Sequence, residues 1–333
     1  MALIDAPVTP VRRRFLPIDA RVGGPGAFLI ALAIVFGVTS ENFWTFDNIR
    51  SVFFVAAILV IATLAQSAVV VTRNLDLSIG ATMAGSAYFA LLIIDAHPSL
   101  GVLLLPMAIC IGAILGAING FIVAFIGIPS LIATLGTLSL FRGLIYASAN
   151  GRQISVSSVP NWLLTFVAAR PLGIPALVIV GVVAVVVIGV MFQRTSFGRN
   201  LFAVGSSAQA SEFYGLPRRG TVFRGFVLSG ALAAIAGTFL AGRAGTVTVD
   251  IATGYELQTL AAAVIGGASL LGGTGSAFGA ALGALVLATI DNGLVQVGLS
   301  GYWQGFVQGC AIVLAVGFDV LLKRQFARRI ERR

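Results

Sequence analysis

Few side chains in this 333-residue sequence could do chemistry, and their types limit what that chemistry is. A single histidine, His97, leaves no ligand set for zinc and no partner for a nucleophilic serine, so it reads as a loop residue. Cys110 and Cys310 each sit inside an apolar run and are expected as buried thiols, with neither a disulfide framework nor a metal site. No His-Glu-x-x-His is present. A phosphate-binding loop needs Gly-Lys-Ser/Thr, and Lys323, in the C-terminal tail, is the only lysine. The cluster Gly272-Gly273-Thr274-Gly275 has the wrong spacing for a dinucleotide fingerprint and reads as a tight turn. The chain is therefore not expected to be an enzyme or to hold a cofactor or metal of its own.

What remains is a handful of polar groups in apolar surroundings. Asp76 falls at the inner end of one apolar run, Glu256 at the outer start of another, and Asp291-Asn292 within a third. A carboxylate at membrane depth is costly to desolvate, which makes each a candidate for a solute path. Asp76, followed by Leu77-Ser78 and an apolar helix, also suits capping of that helix. Asn119 lies deep in an apolar run, where it can meet a hydroxylated solute or bond to a neighbouring helix. No chain of Asp, Glu and His forms a proton relay, which counts against an ion-coupled secondary transporter.

The elements that position these groups follow from composition. The chain is 58% hydrophobic and only 10% charged, too little charge to cover a soluble protein of this size. The expected fold is all-α and polytopic, with about ten membrane spans at 26–40, 51–72, 77–94, 100–126, 131–147, 172–192, 221–241, 257–271, 276–296 and 303–322. Arginines cluster before the first span and, with Lys323, after the last, which puts both termini in the cytoplasm and requires an even count. On that count every basic residue except Arg50, Arg142, Arg152, Arg170 and Arg243 lies on the cytoplasmic side. The net charge of +9 thus reads as topology, and nucleic acid is not an expected partner. Residues 1–22 form a cytoplasmic tail without a cleavable signal, 23–322 the membrane domain, and 323–333 a basic tail. Residues 148–171 form an external segment and 193–220 the longest internal loop.

Glycine spacing says how the helices pack. Gly112, Gly116 and Gly120 recur every fourth residue, as do Gly275, Gly279 and Gly283. Helices in lipid gain little by hiding apolar surface, so they depend on close contact across small residues. The fourth-span run Gly112-Ala113-Ile114-Leu115-Gly116-Ala117 is similar to Gly279-Ala280-Ala281-Leu282-Gly283-Ala284 in the ninth. Those spans run in opposite directions, as an inverted repeat requires.

The internal loop carries a capping serine, Ser206 or Ser207, before a short helix over roughly 208–214, closed by Gly215 and Pro217. That helix presents Glu212, Phe213 and Tyr214 and is read as a docking element for a soluble partner.

Several of these segments resemble the permease subunits of bacterial ABC importers for sugars, the ribose/xylose/galactose type. Thr72-Arg73-Asn74-Leu75-Asp76-Leu77-Ser78-Ile79-Gly80 is similar to that family's Gly-Gly-Ile-Asp-Leu-Ser-Val-Gly signature. Asn119-Gly120 with Ile128-Pro129-Ser130-Leu131-Ile132-Ala133-Thr134-Leu135-Gly136-Thr137 resembles its passage from the fourth to the fifth span. Phe197-Gly198-Arg199 through Gly215-Leu216 resembles its coupling loop, and the run Gly266 to Ser276 its late glycine-rich segment. Arg73-Asn74 replaces the usual Gly-Gly, a variant of the branch holding rhamnose and autoinducer-2 permeases, and Thr253-Gly254-Tyr255-Glu256-Leu257 points the same way. The resemblance implies a multi-pass subunit of the bacterial inner membrane, paired with a second permease chain that is identical or paralogous. Two ATPase subunits would bind inside, and a periplasmic binding protein would deliver a small sugar-like solute from outside. Ala208, Ser211, Glu212, Phe213, Tyr214, Gly215 and Leu216 would then couple the path to the ATPase. The solute would be a pentose, a deoxyhexose such as rhamnose, or autoinducer-2. The rivals are a secondary transporter, a passive channel and an intramembrane enzyme.

Overall fold

The computed structural model describes residues 18–149, 154 and 158–299, with isolated positions between 303 and 313. Residues 1–17 of the expected N-terminal tail, the basic C-terminal tail, Arg152 and most of the expected tenth span lie outside the described residues, and residues 18–22 of the expected tail are already part of the first helix. All regular structure among the described residues is helical, apart from one antiparallel bridge between Ile154 and Val247.

The long helices follow the apolar runs, most of them with glycines inside, and several end where a left-handed backbone intervenes. After α1 (Ile18–Thr39), α2 (Phe46–Val70) runs 25 residues without Gly or Pro. It stops where Arg73 takes a φ of 66°. Residues 71–78 are then non-helical until Ser78 starts α3 (Ile79–Ala96). A 3-10 turn leads into α4 (Leu104–Phe121), which a π turn extends to Gly127 at φ 89°. Helices α5 (Ser130–Ala149), α6 (Asn161–Ala168) and α7 (Ala176–Arg194) follow. Next come the short pair α8 (Ser196–Ser206) and α9 (Ala208–Phe213), and then α10 (Arg218–Ala244), α11 (Tyr255–Ile265) and α12 (Ala277–Gln296).

Seven of the described elements are long and apolar enough to cross a membrane: α2, α3, the 98–126 unit containing α4, α5, α7, α10 and α12. The expected span at 257–271 is not one helix. Its helical part, α11, has 11 residues, about 16 Å at 1.5 Å per residue and about half a bilayer core. Glycine explains the break: Gly267, Gly272 and Gly273 all take φ between 72° and 87°, a region closed to most side chains. Hydropathy counted these residues as apolar but could not see that they do not stay helical.

The α2 span is the centre of the bundle, 83% buried within the chain, with α3 and α10 at 72%. The α5 and α7 spans are only 28% buried, so most of their apolar surface faces outward to lipid or another chain. Cys110 and Cys310 are likewise exposed rather than buried; in a membrane bundle an apolar run marks a lipid-facing surface as readily as a core.

The glycine series set two close contacts. A Cβ added at Gly112 would lie 2.4 Å from the Gly230 carbonyl oxygen, and one added at Gly116 would lie 2.2 Å from that of Phe226. Gly120 approaches Phe223 in the same way, so α4 and α10 meet backbone to backbone. Gly279 and Gly283 of α12 make the equivalent approach to Gly266 and Ala262 at the end of α11. Gly275 precedes the helix, one residue before its N-cap Ser276, and packs near Val71 and Ala268.

Candidate functional site

The non-helical segment 71–78 is the most polar stretch inside the bundle, and its hydrogen bonds explain how it survives there. The Asp76 side chain, 2% exposed, accepts from the Ser78 amide at 2.9 Å and from the Ser78 hydroxyl at 2.6 Å. Ser78, at the N-cap of α3, in turn accepts from Asn119 Nδ2 at 2.7 Å, and Asn119 Oδ1 accepts from the Thr137 hydroxyl at 2.6 Å. Donors thus run in one direction, Thr137 to Asn119 to Ser78, and end on the Asp76 carboxyl. The first turns of α5 hold the same segment: the Leu75 and Leu77 amides donate to Ser130 Oγ and Thr134 Oγ1, both at 3.1 Å. Asp76 therefore secures the helix start through Ser78 rather than as the cap itself. Asn119 makes interhelical bonds on both of its sides.

Glu256 lies deeper than its place in the sequence implies. Val247 pairs with Ile154, but Arg142 Nη1 then binds the Val249 and Ile251 carbonyls at 2.9 and 3.0 Å, and Tyr146 donates to Asp250. The loop is drawn into the bundle, so that Ala252 and Glu256 meet the first turn of α3. A Cβ at Gly80 would stand 2.4 Å from Glu256 Oε2 and 2.6 Å from the Ala252 oxygen. Glu256 Oε1 accepts from the Gly254 amide at 3.1 Å, while Oε2 is buried without a hydrogen-bond partner among the described residues. Asp76 and Glu256 thus mark the starts of α3 and α11, two helix N-termini that favour negative charge.

Asp291 and Asn292 are separate from this pair. Asp291 is half-buried and within electrostatic range of Tyr255. Asn292 Nδ2 and Gln296 Nε2 both donate to Asn48 Oδ1, at 2.8 and 2.7 Å, tying α12 to the start of α2. Ser78, Thr134 and Thr137 were within the recognised motifs but not singled out; Asn48 and Gln296 were missed, because only the fold brings positions 48 and 296 together.

The internal loop folds as two helices. Thr195 caps α8 by accepting from the Gly198 amide at 3.0 Å, and Ser207 caps α9 by accepting from Ala210 at 3.1 Å. Gly215 takes φ 71° and the Leu216 amide returns to the Ser211 carbonyl at 2.9 Å, which closes the turn. Only Ser211 of α9 is buried; Phe213 and Tyr214 are 88% and 79% exposed, and Glu212 pairs with Arg218 at 3.0 Å. The turn between α8 and α9 rests on the glycine-rich segment: Gly273 packs against Ser206, and its amide donates to the Val71 carbonyl at 2.9 Å. Gly205 is in backbone contact with Val71 as well. Three motifs distant in sequence therefore meet at one end of the bundle, five residues from Asp76. No cluster of metal-ligating side chains occurs among the described residues.

The family described as branched-chain amino acid transport system / permease component matches residues 48–316. The chain is 33% identical over 304 residues to the autoinducer 2 import system permease protein LsrC of Salmonella typhi, covering 91% of this chain and 87% of that one. It is 31% identical over 307 residues to LsrC of Escherichia coli (strain K12 / DH10B), covering 91% and 89%. The probable ABC transporter permease protein y4mJ of Sinorhizobium fredii is 33% identical over 291 residues, covering 87% and 86%. No solved structure matches the chain.

Proposed function

Since the chain belongs to this permease family, as a member of its sugar-type ABC importer branch, we propose that it forms the translocation path of a binding-protein-dependent importer in the bacterial inner membrane. Its solute is a small polyhydroxylated molecule, a monosaccharide such as a pentose or rhamnose. Autoinducer-2 is the second reading, favoured by the names of the LsrC relatives. The chain crosses ten times, the eighth time by α11 and the glycine-rich segment, with both termini cytoplasmic and its halves related as an inverted repeat. It pairs with a second permease chain, identical or paralogous. Two ATPase subunits bind α9 from the cytoplasm through Ala208, Glu212, Phe213, Tyr214, Gly215 and Leu216, and Ser211, buried within the chain, belongs to the same coupling element. The chain hydrolyses nothing; it offers the solute different contacts in its inward and outward states.

The observation that carries this reading is the short link from α9 to the buried polar segment. The α8–α9 turn rests on Gly273, Gly273 bonds Val71, and the following residues reach Asp76, Ser78 and Asn119. A push on α9 therefore has a packed route to the starts of α3 and α11, where Asp76 and Glu256 can accept from solute hydroxyls. Asp291 and Asn292 line the same path nearer its outer end.

The test is to tag the chain in its native host, solubilise it gently, and identify what co-purifies. An ATPase with a phosphate-binding loop is expected, with uptake in vesicles that needs ATP and a soluble binding protein. Purification of the chain alone, with uptake that collapses when the ion gradient is dissipated, would move the assignment to a secondary transporter.

A further inference from the structure

Arg142 sits inside α5, about two turns before the end of that helix, where a charged side chain is costly and needs a reason. It makes no ion pair among the described residues. Instead its Nη1 reaches two carbonyls, those of Val249 and Ile251 at 2.9 and 3.0 Å, in the loop between α10 and α11. Tyr146, one turn further along the same face of α5, donates to Asp250. Residues 249, 250 and 251 are thus all gripped from one helix face, and the grip is made of hydrogen bonds. Tyr146 and Asp250 are both exposed, so water can replace their bond.

The gripped loop is wound as a unit and held under strain. The Ile251, Thr253 and Tyr255 amides donate to the Thr248, Asp250 and Ala252 carbonyls at 3.2, 3.1 and 3.3 Å. The bridge from Val247 to Ile154 anchors one end. Gly254, at φ 89° with open space where a Cβ would stand, joins the other end to α11. Positions at the ends of elements are where a hinge takes up its backbone change. Within the loop Ala252 holds φ 61°, a left-handed backbone that favours glycine. Its carbonyl lies so close to Gly80 that no Cβ fits between them, and beside it Glu256 Oε2 is buried without a hydrogen-bond partner. Lifting the loop would relax Ala252 and return water to the Glu256 oxygen. The α5 bonds oppose that movement.

We propose that residues 248–253 are the outer gate of the solute path and that Arg142 and Tyr146 latch it closed in its present position. Arg142 is then a positioning residue: it need not touch solute, and it sets whether Glu256 and the start of α3 are reached from outside. The inference rests on the path through Asp76 and Glu256 and adds the element that closes it. The α5 span is only 28% buried within the chain, so a shift of α5 can draw the latch off the loop without unpacking α2, α3 and α10.

The first experiment uses the whole chain in spheroplasts, carrying Cys110→Ala, Cys310→Ala and Glu256→Cys, with a membrane-impermeant maleimide as the probe. Adding Arg142→Gln is expected to speed labelling at position 256 about tenfold, Arg142→Lys less and Tyr146→Phe least, as the loop opens more often. Unchanged labelling in all three, whatever their melting temperatures, would make these contacts structural and overturn the gate. A second experiment needs no weakened contact. In the complete transporter in nanodiscs, Tyr146→Cys and Asp250→Cys are joined by a short, reducible bifunctional thiol reagent. Pinning the loop is expected to abolish the stimulation of ATP hydrolysis by the soluble binding protein, and reduction to restore it, while each single cysteine is unaffected by the reagent. Undiminished stimulation with the loop pinned would also overturn the gate. Absence of stimulation before cross-linking would sink the importer reading instead, and faster labelling on unlatching would still uphold the gate.

Discussion

Asn119 stays in place because it gives one hydrogen bond and takes another, to partners on two other helical segments. Replacing it with leucine leaves the Thr137 hydroxyl only its longer bond to the Thr134 carbonyl, at 3.3 Å, and removes a donor from Ser78, a loss costing about 1–3 kcal/mol where the group is buried. The Thr137→Val change alone strands the Asn119 oxygen. The double change removes both members of that bond, so its loss of thermal stability is expected to be smaller than the sum of the single losses. Strict additivity in melts of the purified chain would show that the bond does not couple the two sites. Arg73 offers the opposite test. Its φ of 66° is one that glycine takes freely, and at which other residues pay about 1–2 kcal/mol. The resembling family signature has Gly-Gly where this chain has Arg73-Asn74. Arg73→Gly is therefore expected to leave melting unchanged or raise it, because the strain relieved offsets the greater freedom of the unfolded chain. A clear fall in melting temperature would show that the guanidinium makes a contact worth more than the strain.

Contact between helices sorts the glycines by what they touch. Gly116→Ala would put a methyl 2.2 Å from the Phe226 oxygen, so α4 and α10 must part. A cost of about 1–3 kcal/mol and poor recovery in detergent are expected. Gly136→Ala and Gly143→Ala on α5 meet nothing within 4 Å and should be silent. Equal behaviour of all three in a fluorescence-detected sizing experiment would show that the α4–α10 contact does not set stability. The four-residue spacing made this contact legible in the sequence, as the serine and Gly215 did for α9. What was not legible followed from backbone choice and long-range pairing. The half-length of α11 depends on glycines turning left-handed, and the depth of Glu256 depends on Arg142 holding carbonyls more than a hundred residues away. Helix α8 was passed over although Thr195 caps it, because its apolar positions alternate with polar ones over only three turns. For α9, Phe213 and Tyr214 are almost wholly exposed, so Phe213→Ala and Tyr214→Ala should not change melting. Glu212→Arg with Gly215→Asp is expected to abolish uptake in a chain that still reaches the membrane. Normal uptake by that variant would remove α9 from the coupling role.

For the molecule as a whole, the decisive quantity is how many times the chain crosses between α9 and its C-terminal end. Helices α10 and α12 are each long enough to span. The segment between them begins where Val247 pairs with Ile154, and it reaches Gly273 beside Val71 and Ser206, at the end of the bundle where α9 sits. Eleven helical residues and an irregular run cover that distance, tolerable in a bilayer because other helices surround and satisfy the exposed backbone. If this segment crosses, Phe213 and Leu299 lie on opposite faces; if it turns back, they share one. Cysteine placed singly at these positions and at Leu172, in a chain with Cys110→Ala and Cys310→Ala, separates the cases by labelling with a membrane-impermeant maleimide. In intact spheroplasts the Leu172→Cys and Leu299→Cys chains are expected to react, and the Phe213→Cys chain only after permeabilisation. Protection of Leu299→Cys together with Phe213→Cys would reduce the crossings by one. It would also leave α11 as a plug entering from one side, and an alternating path built on the starts of α3 and α11 would lose one of its walls.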